Sequence, residues 1–122
     1  MGLATAHLLA ERGATVALAD INEEKLNATL KSLPKGRHIG DVVDVRDSKQ
    51  VNAWIKKAAN TLGKLDGAAN VAGVCRHPCP IVDETDDTWD FTVGAYYVHS
   101  TAFNPFFHAH SKPGINARGV FN

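Results

Sequence analysis

Cysteine is scarce in this chain, with two in 122 residues, and methionine occurs once. Two thiols cannot supply the disulfide framework of a small secreted scaffold, and they are expected to be free in a reducing compartment. An excess of charge is also missing, since 13 Lys plus Arg face 13 Asp plus Glu. That balance argues against a dominant electrostatic grip on nucleic acid or an anionic membrane, and neither is expected as a partner. No apolar run approaches the roughly 18 residues of a membrane span. The start, Met1-Gly2-Leu3-Ala4-Thr5-Ala6, has no basic stretch before an apolar core, and its sixth residue is not the Ser or Thr of a myristoylation signal. A cytoplasmic location is therefore expected. Repeats and low-complexity tracts are absent. The length allows one small domain and not a two-domain enzyme.

What is present is unevenly spread. All 13 acidic residues lie at or before Asp90, and from Phe91 onward the only charges are Lys112 and Arg118. The stretch Ala95 to Gly114 holds five of the nine aromatic residues and three of the six histidines but a single charge.

The first ninety residues alternate between two hydrophobic periods. Leu3, Ala6, Leu9 and Ala10 recur at helical steps before Gly13, which predicts a helix with a glycine cap. Ala14 to Ala19 is a short continuous apolar run, the pattern of a strand buried on both faces of a parallel sheet. Asn22 is placed to cap a second helix bearing Leu26, Leu30 and Leu33, which Pro34 stops. His38 to Val43 is a weaker strand, interrupted by Gly40 and Asp41. Asp47 and Gln50, at capping-box spacing, introduce a one-sided stripe of Val51, Trp54, Ile55, Ala58 and Leu62 that ends at Gly63. This stripe reads as a core-packing face rather than a partner surface. Gly67 to Val71 is a third strand, and Thr85 or Asp86 caps a further helix through Trp89 and Val93. Helices and strands alternating at these lengths predict an α/β fold of right-handed crossovers, a Rossmann-like doubly wound parallel sheet.

Ligands of such sheets bind at the carboxyl ends of the strands. Asp20 ends the first predicted strand, Asp44 follows the second and Asn70 ends the third. An acid at Asp20 is able to accept both hydroxyls of a ribose and to repel a 2′-phosphate, which favours NAD over NADP. It is equally able to start the turn before the next helix. Gly2 precedes Asp20 by 18 positions, near the spacing of about 20 in the dinucleotide fingerprint. Cys75, Cys79, His77, His99, His108 and His110 offer zinc-binding side chains, but His108-x-His110 is too short for a structural site. A loop with incidental cysteines is the expectation, and no metal is assigned. Phe103, Phe106 and Phe107, flanked by Pro105 and Pro113, read as a poorly packed, aggregation-prone segment.

Six short motifs in order resemble the short-chain dehydrogenases/reductases. Gly2-Leu3-Ala4-Thr5-Ala6 is similar to the end of their glycine-rich turn, and Ala19-Asp20, continuing into Ile21, to their NAD-type acidic strand end. Asp44-Val45 is similar to the pair that contacts adenine. Gly63 to Gly67 followed by Asn70-Val71-Ala72-Gly73 resembles their fourth strand and its Asn-Asn-Ala-Gly motif, with Val71 for the second Asn. Trp89-Asp90 and Asn116 to Phe121 resemble the approach to, and the body of, the helix carrying the family's catalytic Asn. The resemblance covers residues 2–94 and 115–122. It implies a partial NAD(P)-binding domain over 1–122, with cofactor contacts at Gly2, Asp20, Ile21, Asp44, Val45, Asn70, Ala72 and Gly73, and a catalytic role for Asn116. The implied activity is oxidation of a secondary alcohol or reduction of its ketone, with NAD as cofactor and a small molecule as substrate. Cys75 and His77 would lie near that substrate, and the implied assembly is a homo-oligomer.

The departures from the family point the other way. The first strand, central in the family sheet, and most of its phosphate-binding turn have no counterpart before Leu3. Tyr96 and Tyr97 are followed four positions on by Ser100 and Thr101 rather than Lys. No local cation would then lower a Tyr pKa for acid–base work. Joining Gly94 to Ile115 restores a family-like helix, so residues 95–114 read as an extra segment, such as an unspliced intron, and Met1 as an internal start. The expectation is an incomplete sheet lacking the first strand and the C-terminal half. The alternative to an oxidoreductase is a catalytically inactive remnant.

Overall fold

The computed structural model describes residues 1–74, 79–96 and 118–121. The chain opens with α1 (Gly2–Glu11), whose last turn closes by backbone bonds from Gly13 to Ala10 at 3.0 Å and from Ala14 to Leu9 at 2.9 Å. This reversal puts Gly13 at φ +85°, a conformation that costs other residues about 1–2 kcal/mol. It delivers the chain directly into β1 (Thr15–Asp20), buried from Val16 to Ala19.

α2 (Glu23–Ser32) starts where expected, with Asn22 Oδ1 accepting the Lys25 N–H at 2.8 Å. The chain returns as β2 (Ile39–Val42), which pairs in parallel with β1 from Ala17↔Ile39 to Asp20↔Val42. The two residues that weaken this strand in the sequence have packing roles. A Cβ on Gly40 would lie 2.7 Å from Leu30 Cδ1, so the glycine lets α2 approach the strand. Asp41 pairs with Lys57 of α3 (Ser48–Leu62). α3 is capped by Asp47 and ends at Gly63, with φ +83°. β3 (Gly67–Ala69) is two residues shorter than expected, and residues 86–96 form α4.

β1 sorts the core into two layers, because successive strand residues face opposite sides. Ala17 and Ala19 belong to a cluster with Val51, Trp54, Ile55, Ala58 and Leu62 of α3. Val16 and Leu18 join Ala6 and Ala10 of α1 and Leu26 of α2 on the other face. This is the doubly wound parallel arrangement, and the stripe on α3 is a core face.

The sheet differs from expectation at its centre. Its order is β2-β1-β4-β3, and β4 (Arg118–Phe121) lies parallel to β1 on one side and β3 on the other. The helix expected over Asn116 to Phe121 is therefore corrected to a strand from Arg118 onward, and the central slot expected to be vacant is filled. A vacant slot would leave the inward ladder groups of β1 and β3 unpaired, and buried backbone polar groups are costly to leave so. Arg-Gly-Val-Phe is too short for periodicity to distinguish helix from strand. α4 continues past Gly94 into the segment read as an insertion, with Ala95 3% exposed. Most of that segment, residues 97–114, lies outside the described residues, as do 115–117.

Where β2 has not yet begun, a side chain extends the ladder. The Val16 N–H donates to His38 Nδ1 at 3.2 Å, while His38 Nε2 donates to the Pro34 carbonyl at 3.1 Å. An amide can only donate and a carbonyl only accept, so these partners select the neutral ring protonated on Nε2. Val16 is fully buried. His38→Ala is expected to lower unfolding free energy by about 1–3 kcal/mol, because the buried N–H loses its acceptor. Urea denaturation checks this, and an unchanged midpoint would show that the bond carries no net stability.

Candidate nucleotide-binding site

The carboxyl ends of the strands surround a cavity of about 410 Å³. Gly2 and Leu3 from α1 form one wall, and Ala19, Asp20 and Ile21 leave β1 beside them. Val43 to Arg46 cross from β2 towards α3, Val71 to Val74 follow β3, and Phe91 and Ala95 of α4 close the far side. A second cavity of about 310 Å³ shares Gly2, Leu3, Ala19 and Asp20, and runs along α2 past Lys25 and Thr29.

Of the residues singled out in the sequence, Gly2, Asp20, Ile21, Asp44, Val45, Ala72 and Gly73 all line the larger cavity. Asn70 does not; it is exposed just beyond β3. Asn116, Cys75, His77, His99, His108 and His110 lie outside the described residues. Cys79 is exposed, its thiol 3.4 Å from Glu84 Oε2. No group of three or more metal-binding side chains occurs among the described residues.

Asp20 is held by a short turn, with Oδ1 accepting the Asn22 N–H at 2.8 Å. The turn reading of this residue is therefore met with one oxygen, and the residue still opens onto both cavities. Asp44 is gripped harder. Its Oδ1 accepts from the Arg46 backbone N–H at 3.0 Å and from Arg46 Nε at 2.9 Å. Oδ2 accepts from Nη2 at 2.5 Å and from Nε at 3.1 Å. The guanidinium in turn lies over the Phe91 ring, 4.7 Å from its centre, and so ties this loop to α4 by a cation–π contact. Arg46 and Phe91 were missed in the sequence. The available signal was an Arg two residues after an Asp, the spacing of a local turn with a side-chain bond. On the opposite wall, a Cβ on Gly73 would lie 2.7 Å from Tyr96 Oη, so the bare backbone there accommodates that ring.

Arg46 sets the electrostatics of Asp44. The guanidinium hydrogen bonds hold this carboxyl below the usual range; burial opposes them, and the Arg46 backbone N–H and positive charge assist. Asp47 is also held low, first by the Lys49 N–H at 2.8 Å and then by the Gln50 side chain and backbone. Gln50 Oε1 meanwhile accepts the Asp44 N–H at 3.1 Å, which links the α3 cap to the cavity wall. Both carboxyls bind protons more weakly folded than unfolded. The stability they add is complete above about pH 5, and is lost as pH falls through the unfolded value and then through their lowered ones. Asp47→Asn keeps a capping oxygen but removes one titration. The difference in urea midpoint between pH 6 and pH 3 is expected to shrink, and an unchanged difference would exclude Asp47 from the acid response.

Known proteins resemble this chain in sequence and in fold. Residues 1–105 match the family model described as enoyl-(acyl carrier protein) reductase. A relative from Botryotinia fuckeliana, short-chain dehydrogenase/reductase aba4, is 43% identical over 100 residues covering 77% of this chain. The chain belongs to the short-chain dehydrogenase/reductase family. The match spans 39% of that relative's length. Among solved structures, a mutant short-chain dehydrogenase/reductase from Serratia marcescens aligns with a TM-score of 0.85 at 20% identity, covering 98% of this chain and 49% of that one. The 3-ketoacyl-(acyl-carrier-protein) reductase of Brucella melitensis, solved with NADH, aligns at a TM-score of 0.77 and 21% identity, over 88% of this chain and 45% of that one. At these identities the solved structures show the fold. The family is one of oxidoreductases that bind nicotinamide cofactors. Among the described residues, no helix is long and apolar enough to cross a membrane.

Proposed function

We propose that the larger cavity holds the adenosine end of a nicotinamide dinucleotide, NAD in preference to NADP. The observation that carries this reading is the convergence of Gly2, Asp20, Asp44 and Val45 on one cavity at the carboxyl ends of β1 and β2. Its volume lies within the roughly 300–1,000 Å³ typical of small-molecule sites. Asp20 would accept from the ribose hydroxyls and repel a 2′-phosphate, Val45 would border the base, and Ala72 and Gly73 would line the cofactor's edge. When bound, the nicotinamide supplies hydride chemistry. We assign that chemistry to a secondary alcohol and its ketone; the catalytic role implied for Asn116 rested on a helix where β4 stands, and is not carried forward.

The test is titration of NADH and NADPH against the purified chain, followed by nicotinamide fluorescence. NADH is expected to bind at least tenfold more tightly. Loss of hydrogen bonds to a charged acceptor costs about 1.5–3 kcal/mol, so Asp20→Ala should weaken NADH by roughly ten- to a hundredfold. The same change should narrow the gap to NADPH, since the repelling charge is gone. Equal binding of the two dinucleotides by the unaltered chain would overturn the assignment of Asp20.

A second reading concerns turnover, and the tyrosines favour it. Neither Tyr96 nor Tyr97 is followed four positions on by a lysine. On this reading residues 1–122 bind a dinucleotide and do not transfer hydride themselves. NAD reduction with a panel of secondary alcohols decides, and clear turnover would refute it.

A further inference from the structure

We propose that Arg46, by occupying the Asp44 carboxylate, removes the preference for adenine over hypoxanthine at the base end of the cavity. This rests on the dinucleotide reading above. A carboxylate has about four lone-pair positions to offer. At Asp44, Arg46 reaches both oxygens with three N–H donors at 2.5 to 3.1 Å, its backbone N–H on Oδ1, Nη2 on Oδ2 and an Nε–H shared between the two. The strongest of these are charge-assisted and bidentate, which a neutral exocyclic amine on a base cannot match in an exchange. The guanidinium is also steadied from below by Phe91. The group that would otherwise recognise a 6-amino substituent is therefore already engaged.

Arg46 changes the character of this wall as well. A guanidinium carries five N–H donors. Asp44 takes the one on Nε and one of the two on Nη2, and both on Nη1 remain. Arg46 lines the cavity beside Val45, so this edge presents donors where a free carboxylate would present acceptors. A 6-oxo purine suits donors at least as well as a 6-amino purine does. The lowered proton affinity of Asp44 agrees with a carboxylate that stays charged and paired at neutral pH.

The test compares NADH with reduced nicotinamide hypoxanthine dinucleotide, which carries a 6-oxo group and an N1–H in place of the 6-amino group and bare N1, by fluorescence titration. The unaltered chain is expected to bind the two within about threefold. Arg46→Leu removes the side-chain donors and frees Oδ2, leaving the backbone N–H on Oδ1, and should create an adenine preference of about tenfold, the effect of one neutral-to-charged hydrogen bond. Arg46→Lys keeps the charge without the fork and should fall between, so it serves if the leucine variant loses its fold. A tenfold adenine preference in the unaltered chain would overturn the inference and leave the dinucleotide site standing. So would equal ratios in the unaltered and both variant chains. Saturable binding of neither dinucleotide would overturn the cavity's assignment and this inference with it.

Discussion

Val120→Pro is expected to abolish cooperative folding of this chain. Val120 sits in the middle of β4, opposite Ala17 of β1 and Ala68 of β3, so its backbone has a strand on each side. Proline removes the N–H that a central strand must donate, and it is found in sheets almost only at edges and bulges. The consequence extends beyond one bond. In the order β2-β1-β4-β3, among the described residues, the third strand reaches the rest of the sheet only through β4, so losing β4 also detaches β3. A loss of about 3 kcal/mol or more would consume much of the roughly 5–15 kcal/mol that holds a domain together. Far-ultraviolet circular dichroism in urea measures it, with Val120→Ile as the control expected to retain the fold. A proline variant with an unchanged midpoint would show that some other segment fills the slot.

Ile55→Ala should cost the next most, about 2–5 kcal/mol. Ile55 is fully buried on the face of α3 that covers the sheet, in one cluster with Ala17, Trp54 and Leu62. Alanine is the better helix former by only a few tenths of a kcal/mol, which cannot offset the cavity left behind. Thermal and urea unfolding of Ile55→Val and Ile55→Ala make a graded series, with the valine expected to lose about 0.5–1.5 kcal/mol. Equal, small losses in both would mean that α3 packs more loosely than its burial indicates. Nucleotide affinity should fall less than stability does, since Asp44 and Arg46 lie in the loop before α3 rather than under it.

The elements that were legible in the sequence are those whose signals are local. Gly13 and Gly63 end helices because each takes a positive φ, and Asn22 and Asp47 begin them because their side chains reach backbone N–H groups three residues on. The apolar run from Ala14 to Ala19 announced a two-faced strand, and its burial follows that pattern. Most of the candidate site was legible for a related reason. In a parallel sheet, polar residues that directly follow strands necessarily converge at one edge, as Asp20 and Asp44 do.

What stayed hidden depends on partners distant in the chain. Arg46 is exposed and unremarkable until Phe91, forty-five positions later, comes beneath it. Gly40 weakens β2 as a strand, and Leu30 of α2 explains why a glycine is there. His38 carries no periodic signal, yet it completes the ladder of a buried residue in β1.

The sequence by itself determined the alternation of helices and strands, the two-sided burial of β1, and the placing of two acids at strand ends. Hydrophobic period and capping chemistry act over a few residues, and they are written in the chain. Tertiary structure alone decided that Arg118–Phe121 is the strand joining β1 to β3, and that Asp44 meets the cavity already paired with Arg46. A four-residue segment has no period of its own to read. Its conformation follows from which unpaired backbone it meets, and that is a property of the assembled sheet.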